Sequence, residues 1–201
     1  MTRSREEFLM RRNKEGFYKQ AKEINVRARS YFKLEQLDNK YNLIKEGMKI
    51  IDLGCAPGGW LEYLDKKLEG KKASIIGIDL LEIKKQHEFS SKIEIIEDDF
   101  NNIEEYHIDQ FDLVLSDMAP EFCGDSKVDR GRCHKLNVKT LEFCESHLRP
   151  NGDLVFKTFG GEDLDWVRSK AKKLFKEVKE YKPTSSKGKS AELFIYCHHK
   201  L

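Results

Sequence analysis

Residues 51–60 read IDLGCAPGGW and join an apolar strand, a glycine-rich turn and the start of a helix. The apolar run over 49–53 has the length of a strand, and Gly54 ends it. Gly54, Gly58 and Gly59 permit a tight turn and let the backbone approach a bound molecule where a Cβ atom would collide with it. The helix predicted over 60–68 directs its unpaired N–H groups toward the same place. The stretch therefore predicts a ligand site at the end of a strand in an open α/β sheet.

The next strand indicates what kind of ligand this is. The strand predicted over 74–79 ends in Asp79, where a carboxylate is placed to accept hydrogen bonds from both hydroxyls of a ribose. A dinucleotide fingerprint G-x-G-x-x-G would need a glycine where the chain has Ala56, so NAD is the weaker interpretation. The bulky Trp60 suits a neutral or zwitterionic ligand, and we expect S-adenosylmethionine. A glycine-rich turn can be no more than a tight connection, but Asp79 and the acidic strand end at 98–100 argue against that.

Composition indicates one domain spanning 1–201, with a basic helical extension over about 1–45, because 201 residues with 39% hydrophobic content suffice for one full core. No apolar run reaches membrane-spanning length, and the first residues lack the apolar core of a secretory signal. We therefore expect no membrane partner. We also predict no metal site, since His198 and His199 are adjacent on a terminal strand and should point to opposite faces. Five scattered cysteines are expected to be reduced thiols: Cys55, Cys123, Cys133, Cys144 and Cys197.

The net charge of +2 hides a strong asymmetry. Residues 1–40 hold 11 lysines and arginines against 6 acids, and residues 167–201 hold 10 against 3. The middle of the chain holds 16 against 26. An acidic centre suits a cationic sulfonium cofactor, and basic ends brought together by the fold would attract a polyanion. The pattern suggests nucleic acid as a partner, although lysine-rich termini that only solvate the surface would give the same counts.

Hydrophobic patterning predicts an α/β fold with a doubly wound, mostly parallel sheet and an antiparallel C-terminal edge. Strands are predicted over 49–53, 74–79, 93–97, 111–116, 153–158, 178–181 and 193–197. Helices are predicted over 17–23, 29–41, 60–68, 131–148 and 162–175, while 80–92 has no clear pattern.

Charged residues stand where the chemistry of such a sheet is expected, at the carboxyl ends of its strands. Asp117 follows the apolar strand FDLVLS, and Lys157 ends the strand DLVFK. Glu192 begins the last strand, and Lys33 lies on an early helix among apolar residues. Two lysines and two carboxylates can neutralise one another, so salt bridges without catalytic duty remain the alternative.

Five separated motifs, in order and in register, resemble the FtsJ/RrmJ-type ribose 2′-O-methyltransferases, close to the ribosomal RNA large subunit uridine methyltransferases. They are RARSYFKL, DLGCAPGGW, SDMAP, VFKTF and SSKGKSAELFIY, and the resemblance runs from about residue 16 to the last strand. It implies a Rossmann-like class I S-adenosylmethionine-dependent methyltransferase fold. It also implies a catalytic tetrad formed by Lys33, Asp117, Lys157 and Glu192.

The resemblance further implies cofactor contacts, and Asp99 is preferred to Asp98 because it directly precedes Phe100. The implied contacts are Gly58, Trp60, Asp79, Asp99 and Asp117, to which we add Gly54, Gly59, Leu80 and Phe100 as neighbours. The segment 121–133 departs most from the family's pattern.

Methylating a ribose requires a base, because a 2′-hydroxyl is a poor nucleophile. Lys157 is the candidate base, either as a neutral amine that takes the proton or as a charged group that orients the hydroxyl. Neither version requires a metal. Aligning two bound reactants can itself account for about 7–11 kcal/mol of a barrier.

The substrate is predicted to be RNA, held through its phosphates. The family's relatives act on ribosomal RNA, transfer RNA or messenger caps; SDMAP and the compact length favour large-subunit ribosomal RNA or the ribosomal particle. A transfer RNA 2′-O-methyltransferase and a non-catalytic RNA-binding assembly factor are the alternatives. We expect a cytoplasmic monomer, with an organellar or nuclear location left open for a eukaryotic source. The candidate RNA contacts are Arg27, Arg29, Lys182 and Lys187.

Overall fold

A computed structural model of the chain describes residues 28–83, 89–106, 108–161, 163–184 and 191–201. The helix predicted over 17–23 and most of the basic extension lie outside the described residues. The helices are α1 (Ser30–Tyr41), α2 (Gly59–Lys67), α3 (Ser126–His147) and α4 (Asp163–Leu174), with a 3-10 helix over Phe100–Tyr106. The strands are β1 (Lys49–Leu53), β2 (Ser74–Asp79), β3 (Ile93–Glu97), β4 (Phe111–Ser116), β5 (Leu148–Phe159), β6 (Phe175–Tyr181) and β7 (Glu192–Lys200).

These strands form one seven-stranded sheet in the order β3-β2-β1-β4-β5-β7-β6. Strands β1 to β5 pair in parallel, whereas β7 runs antiparallel to both of its neighbours, β5 and β6. The predicted α/β fold with a mostly parallel sheet and an antiparallel C-terminal part is confirmed. The order of strands reverses between β1 and β4, and in such sheets the crevice beyond the carboxyl ends at that point is where ligands bind.

Both faces of the sheet are buried, which explains why its central strands read as continuous apolar runs. Ile50 on β1 belongs to a core cluster that includes α1 and α2 residues, while its neighbour Ile51 belongs to a cluster that includes α3 and α4 residues. Successive strand side chains point to opposite faces. The helices thus cover the sheet on both sides and leave its carboxyl edge accessible.

Several boundaries differ from the sequence prediction. Helix α3 begins at Ser126 rather than near residue 131, because Asp125 caps it by accepting hydrogen bonds from the backbone N–H groups of Lys127 and Val128. Strand β5 begins at Leu148 rather than near residue 153, and its register with β4 shifts between Phe111 and Leu113. The 3-10 helix over Phe100–Tyr106 was not predicted.

The prediction that His198 and His199 point to opposite faces is wrong. Their rings are stacked with centroids 3.7 Å apart. The physical reason is the backbone of His199, which has a left-handed φ of +55° and leaves the regular alternation of the strand.

All five cysteines are free, with Cys123 exposed and the others buried. No helix in the described part of the chain is both long and apolar enough to cross a membrane.

Candidate active site

The structure brings Lys33, Asp117, Lys157 and Glu192 together at the carboxyl edge of the sheet. Lys157 Nζ donates a hydrogen bond to Asp117 Oδ1 at 2.8 Å and also contacts the Asp117 carbonyl oxygen. Lys33 Nζ lies 2.8 Å from Glu192 Oε1 and 3.9 Å from Asp117 Oδ1. The four side chains therefore form one continuous chain of ion pairs.

Strand topology explains how residues so distant in sequence meet. Asp117 follows β4 directly, and its backbone N–H donates to the carbonyl oxygen of Leu53 at the end of β1. Lys157 on β5 pairs with Phe194 on the antiparallel β7, so Glu192, two residues earlier on β7, lies beside the end of β5. The antiparallel direction of β7 is thus what brings a residue from the start of a strand to this edge.

The charged side chains of this cluster are largely buried, so their interactions are only weakly screened by water. The side chains of Lys33 and Lys157 are each only 7% exposed, whereas those of Asp117 and Glu192 are 18% and 15% exposed. Buried ammonium groups are costly without hydrogen-bonded anionic partners, and here each lysine has a carboxylate at hydrogen-bond distance. The arrangement fixes both amines while leaving their carboxylate partners accessible from the crevice.

Lys33 depends on the placement of α1, which the buried Asp38 secures. The Asp38 carboxylate accepts hydrogen bonds from the Ile44 backbone N–H at 2.9 Å and from the Tyr63 hydroxyl at 2.8 Å. Lys67 Nζ is 2.8 Å from the same carboxylate. These partners tie α1 to α2 and to the segment before β1.

The first turn of α1 is held by the glycine-rich turn itself. Trp60 Nε1 donates to the carbonyl oxygen of Ser30 at 2.9 Å, and the indole is buried against Phe194. A Cβ atom on Gly59 would lie 2.4 Å from Ser30 Oγ, so glycine permits the close approach of α1 to α2. Lys33 Nζ in turn lies 5.6 Å from the centre of the Phe194 ring. Trp60 and Gly59 thus support the position of Lys33.

An open cavity lies beside the four charged residues, and the empty space in and directly above it is about 780 Å³. The predicted cofactor residues that line it are Gly54, Asp79, Leu80, Asp99, Phe100 and Asp117; Ala56, Ile78, Leu81, Asp98, Met118, Ala119 and Leu136 complete the lining. Gly58, Gly59 and Trp60 are not among the lining residues. Asp117 belongs both to the cavity wall and to the ion-pair chain, which places the two features in direct contact.

Two acidic residues of the cavity differ in how far their carboxylates are already used. Asp98 accepts hydrogen bonds from Tyr106, Asn102 and the Asp99 backbone N–H, which lower the pKa of Asp98. Asp99 accepts one from the Asn101 backbone N–H at 2.9 Å. This geometry is consistent with the preference for Asp99 as the ligand residue.

Asp79 holds the two loops that form the cavity. Its Oδ2 accepts a hydrogen bond from the Ala56 backbone N–H at 2.8 Å, and its Oδ1 accepts one from the Leu81 backbone N–H at 2.9 Å. Each carboxylate oxygen has two lone pairs, so both can still accept from a ribose hydroxyl. Leu80 and Leu81 are 67% and 68% exposed beside it, and these large apolar side chains offer a surface for a flat aromatic base.

Asp52, which was not among the predicted site residues, lies under the site on β1. It is fully buried, and neither carboxylate oxygen has a hydrogen-bond partner. Burial raises the pKa of Asp52 well above its ordinary value, and the nearby Asp117 and Asp79 raise it further. The available signal was an acid among the apolar residues Ile50, Ile51 and Leu53 of this strand.

Of the four candidate RNA contacts, Arg27 and Lys187 lie outside the described residues. Arg29 is exposed just before α1, and Lys182 is exposed just after β6. The two regions are joined, since the Thr184 backbone N–H donates to the side chain of Gln36 on α1 at 2.9 Å. The fold therefore brings the described parts of the two basic ends into contact.

The fold agrees with the comparisons with known proteins. The FtsJ-like methyltransferase family model matches residues 26–200. The ribosomal RNA large subunit methyltransferase E of Methanosphaera stadtmanae is 38% identical over 191 residues, 91% of each chain. The protein of the same name from Buchnera aphidicola is 37% identical over 197 residues, 94% of this chain and 92% of the relative. The crystal structure of a ribosomal RNA methyltransferase from Plasmodium falciparum superposes with a TM-score of 0.74 at 26% identity, over 88% of this chain and 99% of that one. The chain belongs to the FtsJ-like methyltransferase family.

Proposed function

We propose that this FtsJ-like methyltransferase uses S-adenosylmethionine to methylate a ribose 2′-hydroxyl of large-subunit ribosomal RNA, most specifically at a uridine. The observation that carries the proposal is the ion-pair chain of Lys33, Asp117, Lys157 and Glu192, directly beside the cavity. The relatives' names support ribosomal RNA as the substrate.

The cavity has the chemistry that S-adenosylmethionine requires. We assign the ribose hydroxyls to Asp79, the base to the apolar surface of Leu80 and Leu81 with Asp99 at its edge, and the charged methionine end to the side of Asp117. A Cβ atom on Gly54 would lie 2.6 Å from Met118 Cγ, so glycine is required where the two loops of this cavity meet. When bound, the cofactor supplies a methyl group activated by its sulfonium charge.

The chain's own residues then have to align and deprotonate the hydroxyl. We assign Lys157 as the group that takes the proton, because its Nζ is buried at the site and is held in place by Asp117. It does so as the neutral amine, so Lys157 has to release its own ammonium proton to solvent before the hydroxyl attacks the methyl group. Lys33 and Glu192 hold the opposite side of Asp117 and keep the cluster close to neutral as the proton moves. General base catalysis of this kind contributes about 10²- to 10⁴-fold in rate.

Basic residues at the rim of the site are assigned to the RNA backbone. Arg29 and Lys182 are exposed on the two regions that Gln36 and Thr184 join, and phosphate contacts of this type position an RNA without reading its sequence. The 2′-hydroxyl itself distinguishes RNA from DNA.

The test is methyl transfer from labelled S-adenosylmethionine to unmodified large ribosomal subunits, naked ribosomal RNA and transfer RNA, followed by mapping of the labelled nucleotide. We expect label on a ribose of large-subunit RNA. Transfer RNA as the sole acceptor would contradict the proposed substrate. No label on any RNA, with cofactor binding intact, would contradict the proposed activity and favour a non-catalytic RNA-binding role.

Substitutions at Lys157 test its role. Lys157→Met removes the proton acceptor at similar length, and we expect at least about a 100-fold loss of rate with cofactor affinity retained. Lys157→Arg keeps the charge but cannot lose its proton, so the same loss is expected. Rates within tenfold of wild type for Lys157→Arg would instead assign an orienting role to the charge. Lys170→Met, at a lysine paired with Glu145 away from the site, is the matched control.

A further inference from the structure

A second cluster of ligand-type side chains lies far from the proposed active site. It consists of Asp153 on β5 with His198 and His199 near the end of β7. Glu192, at the other end of β7, lies six residues before His198, a separation of roughly 20 Å along an extended strand. The cluster therefore stands outside the methyl-transfer machinery and has no part in the reaction proposed above.

The donor atoms of this cluster converge. One ligand atom each from Asp153, His198 and His199 lies within 4.8 Å of the other two. His198 Nδ1 is 3.0 Å from Asp153 Oδ1 and 3.1 Å from Oδ2. Metal bonds of about 2.0–2.2 Å place neighbouring ligand atoms of a tetrahedral site about 3.3 Å apart. The His198–Asp153 pair has to open by a few tenths of an ångström to reach this spacing, and no pair in the cluster exceeds 4.8 Å.

The backbone is arranged to bring both imidazoles to the same side. His199 adopts a left-handed φ of +55°, its backbone N–H donates to Asp153 Oδ1 at 2.8 Å, and its ring stacks on that of His198. A regular strand would separate the two rings on opposite faces. A non-glycine residue in this region of φ costs free energy and marks a position that its surroundings determine.

The carboxylate is also held from outside the cluster. The Tyr196 hydroxyl donates to Asp153 Oδ2 at 2.8 Å, and it lies 2.7 Å from His198 Nδ1. Partners that orient a ligating carboxylate and a ligating histidine are typical of metal sites. The three side chains are partly buried, which leaves an open side from which an ion and water can enter.

We propose that Asp153, His198 and His199 form a binding site for one divalent transition-metal ion of the zinc type. Two imidazoles and one carboxylate suit Zn²⁺ and its neighbours in the first transition row, whereas Ca²⁺ and Mg²⁺ require oxygen ligands. The ion takes the place of the hydrogen bond between His198 Nδ1 and Asp153, because both use the same ligand atoms. Water fills the remaining position.

The test is titration of the full-length, metal-stripped protein with Zn²⁺, in a Cys123→Ser background because Cys123 is the exposed thiol. We expect one Zn²⁺ per chain and a rise in melting temperature on binding. His199→Asn removes the imidazole but tolerates the left-handed backbone, and Asp153→Asn keeps the size of the carboxylate. Each is expected to weaken binding by at least about tenfold, which corresponds to about 1.4 kcal/mol.

Controls separate this site from adventitious binding. His147→Ala removes a histidine that lies 3.5 Å from Glu104 outside the cluster, and it should bind Zn²⁺ like the parent protein. Melting temperatures without metal show whether each variant folds, and Co²⁺ should give visible bands without the intense thiolate absorption. Absence of stoichiometric Zn²⁺ binding, or equal affinity in the parent, His199→Asn and Asp153→Asn proteins, would overturn the proposal.

Discussion

Gly54→Ala tests the contact between the glycine-rich turn and the loop after β4, which carries Asp117 and Met118. Gly54 has a φ of +77°, and an added Cβ atom would lie 2.6 Å from Met118 Cγ and 2.9 Å from Met118 Cα. The methionine side chain can rotate away, but the Cα atom is backbone. Since carbon atoms pack at about 3.5–4.0 Å, the loop has to move by roughly 0.5–1 Å.

Two terms set the expected loss of stability. A left-handed conformation costs a non-glycine residue about 1–2 kcal/mol, and overpacking a filled site adds about 1–3 kcal/mol. The movement also carries Asp117, the residue before Met118, away from its 2.8 Å contact with Lys157. A misplacement of about 1 Å in an active site can cost on the order of 100-fold in rate, so we expect methyl transfer to fall further than cofactor affinity.

Gly47→Ala is the matched control. Gly47 has a φ of +85°, but nothing lies within 4 Å of an added Cβ atom, so this variant carries the backbone cost without the collision. Urea denaturation should show Gly54→Ala to be less stable than Gly47→Ala by about 1–3 kcal/mol. Calorimetric titration with S-adenosylmethionine and the methyl-transfer assay complete the comparison. Equal stabilities and equal rates for the two variants would refute the reasoning.

Three further substitutions test the supports of the site. The folded state of wild type holds the Asp52 proton to higher pH than the unfolded state does, so the stabilisation from this group is lost as pH rises above about 3.9. Asp52→Asn has no proton to lose at this position, so its free energy of unfolding should rise relative to that of wild type between pH 4 and 8. Parallel curves of the free energy of unfolding against pH would contradict this. Trp60→Phe removes the hydrogen bond to Ser30 and should lower the free energy of unfolding in urea by about 1 kcal/mol. It should also lower the rate of methyl transfer more than the affinity for the cofactor. A selective loss of cofactor affinity would instead assign Trp60 to the cofactor. Asp38→Ala leaves two buried donors, the Ile44 N–H and the Tyr63 hydroxyl, without their acceptor and should cost about 3–5 kcal/mol in urea denaturation. Tyr63→Phe should cost about 1 kcal/mol, and equal costs would contradict the role of Asp38 as a shared acceptor.

The fold and the meeting of Asp117 with Lys157 could be predicted from the sequence because both follow from strand patterning, whereas Lys33 lies on helix α1 and is predicted to join the tetrad only through the family resemblance. Continuous apolar runs predict the central strands. Asp117 directly follows β4, and Lys157 lies near the carboxyl end of β5. Parallel strands bring their carboxyl ends to one edge, so their meeting follows from topology alone. The position of Glu192 was harder to predict, because it depends on the insertion of β7 between β5 and β6 in the sheet.

Side-chain direction was the part that patterning could not supply. The glycine-rich turn predicted a ligand cradle, yet the Trp60 indole and the open side of Gly59 face α1. A glycine-rich turn indicates that another group approaches the backbone closely, and that group can be a ligand or a neighbouring helix. Asp52 illustrates the same limit, since the pattern of an apolar strand does not show that an acid within it is fully buried.

His199 shows why the alternation rule fails at the end of a strand. The rule assumes extended backbone at every residue, and a single left-handed φ transfers a side chain to the face of its predecessor. Here that residue is also the one whose backbone N–H is bound by Asp153, a strand away and 46 positions earlier in the chain. The conformation of His199 therefore depends on a tertiary contact rather than on its neighbours in sequence. For two adjacent histidines at a strand end, the hydrogen-bond acceptor of their backbone N–H groups therefore has to be known before a ligand shared by both side chains is excluded.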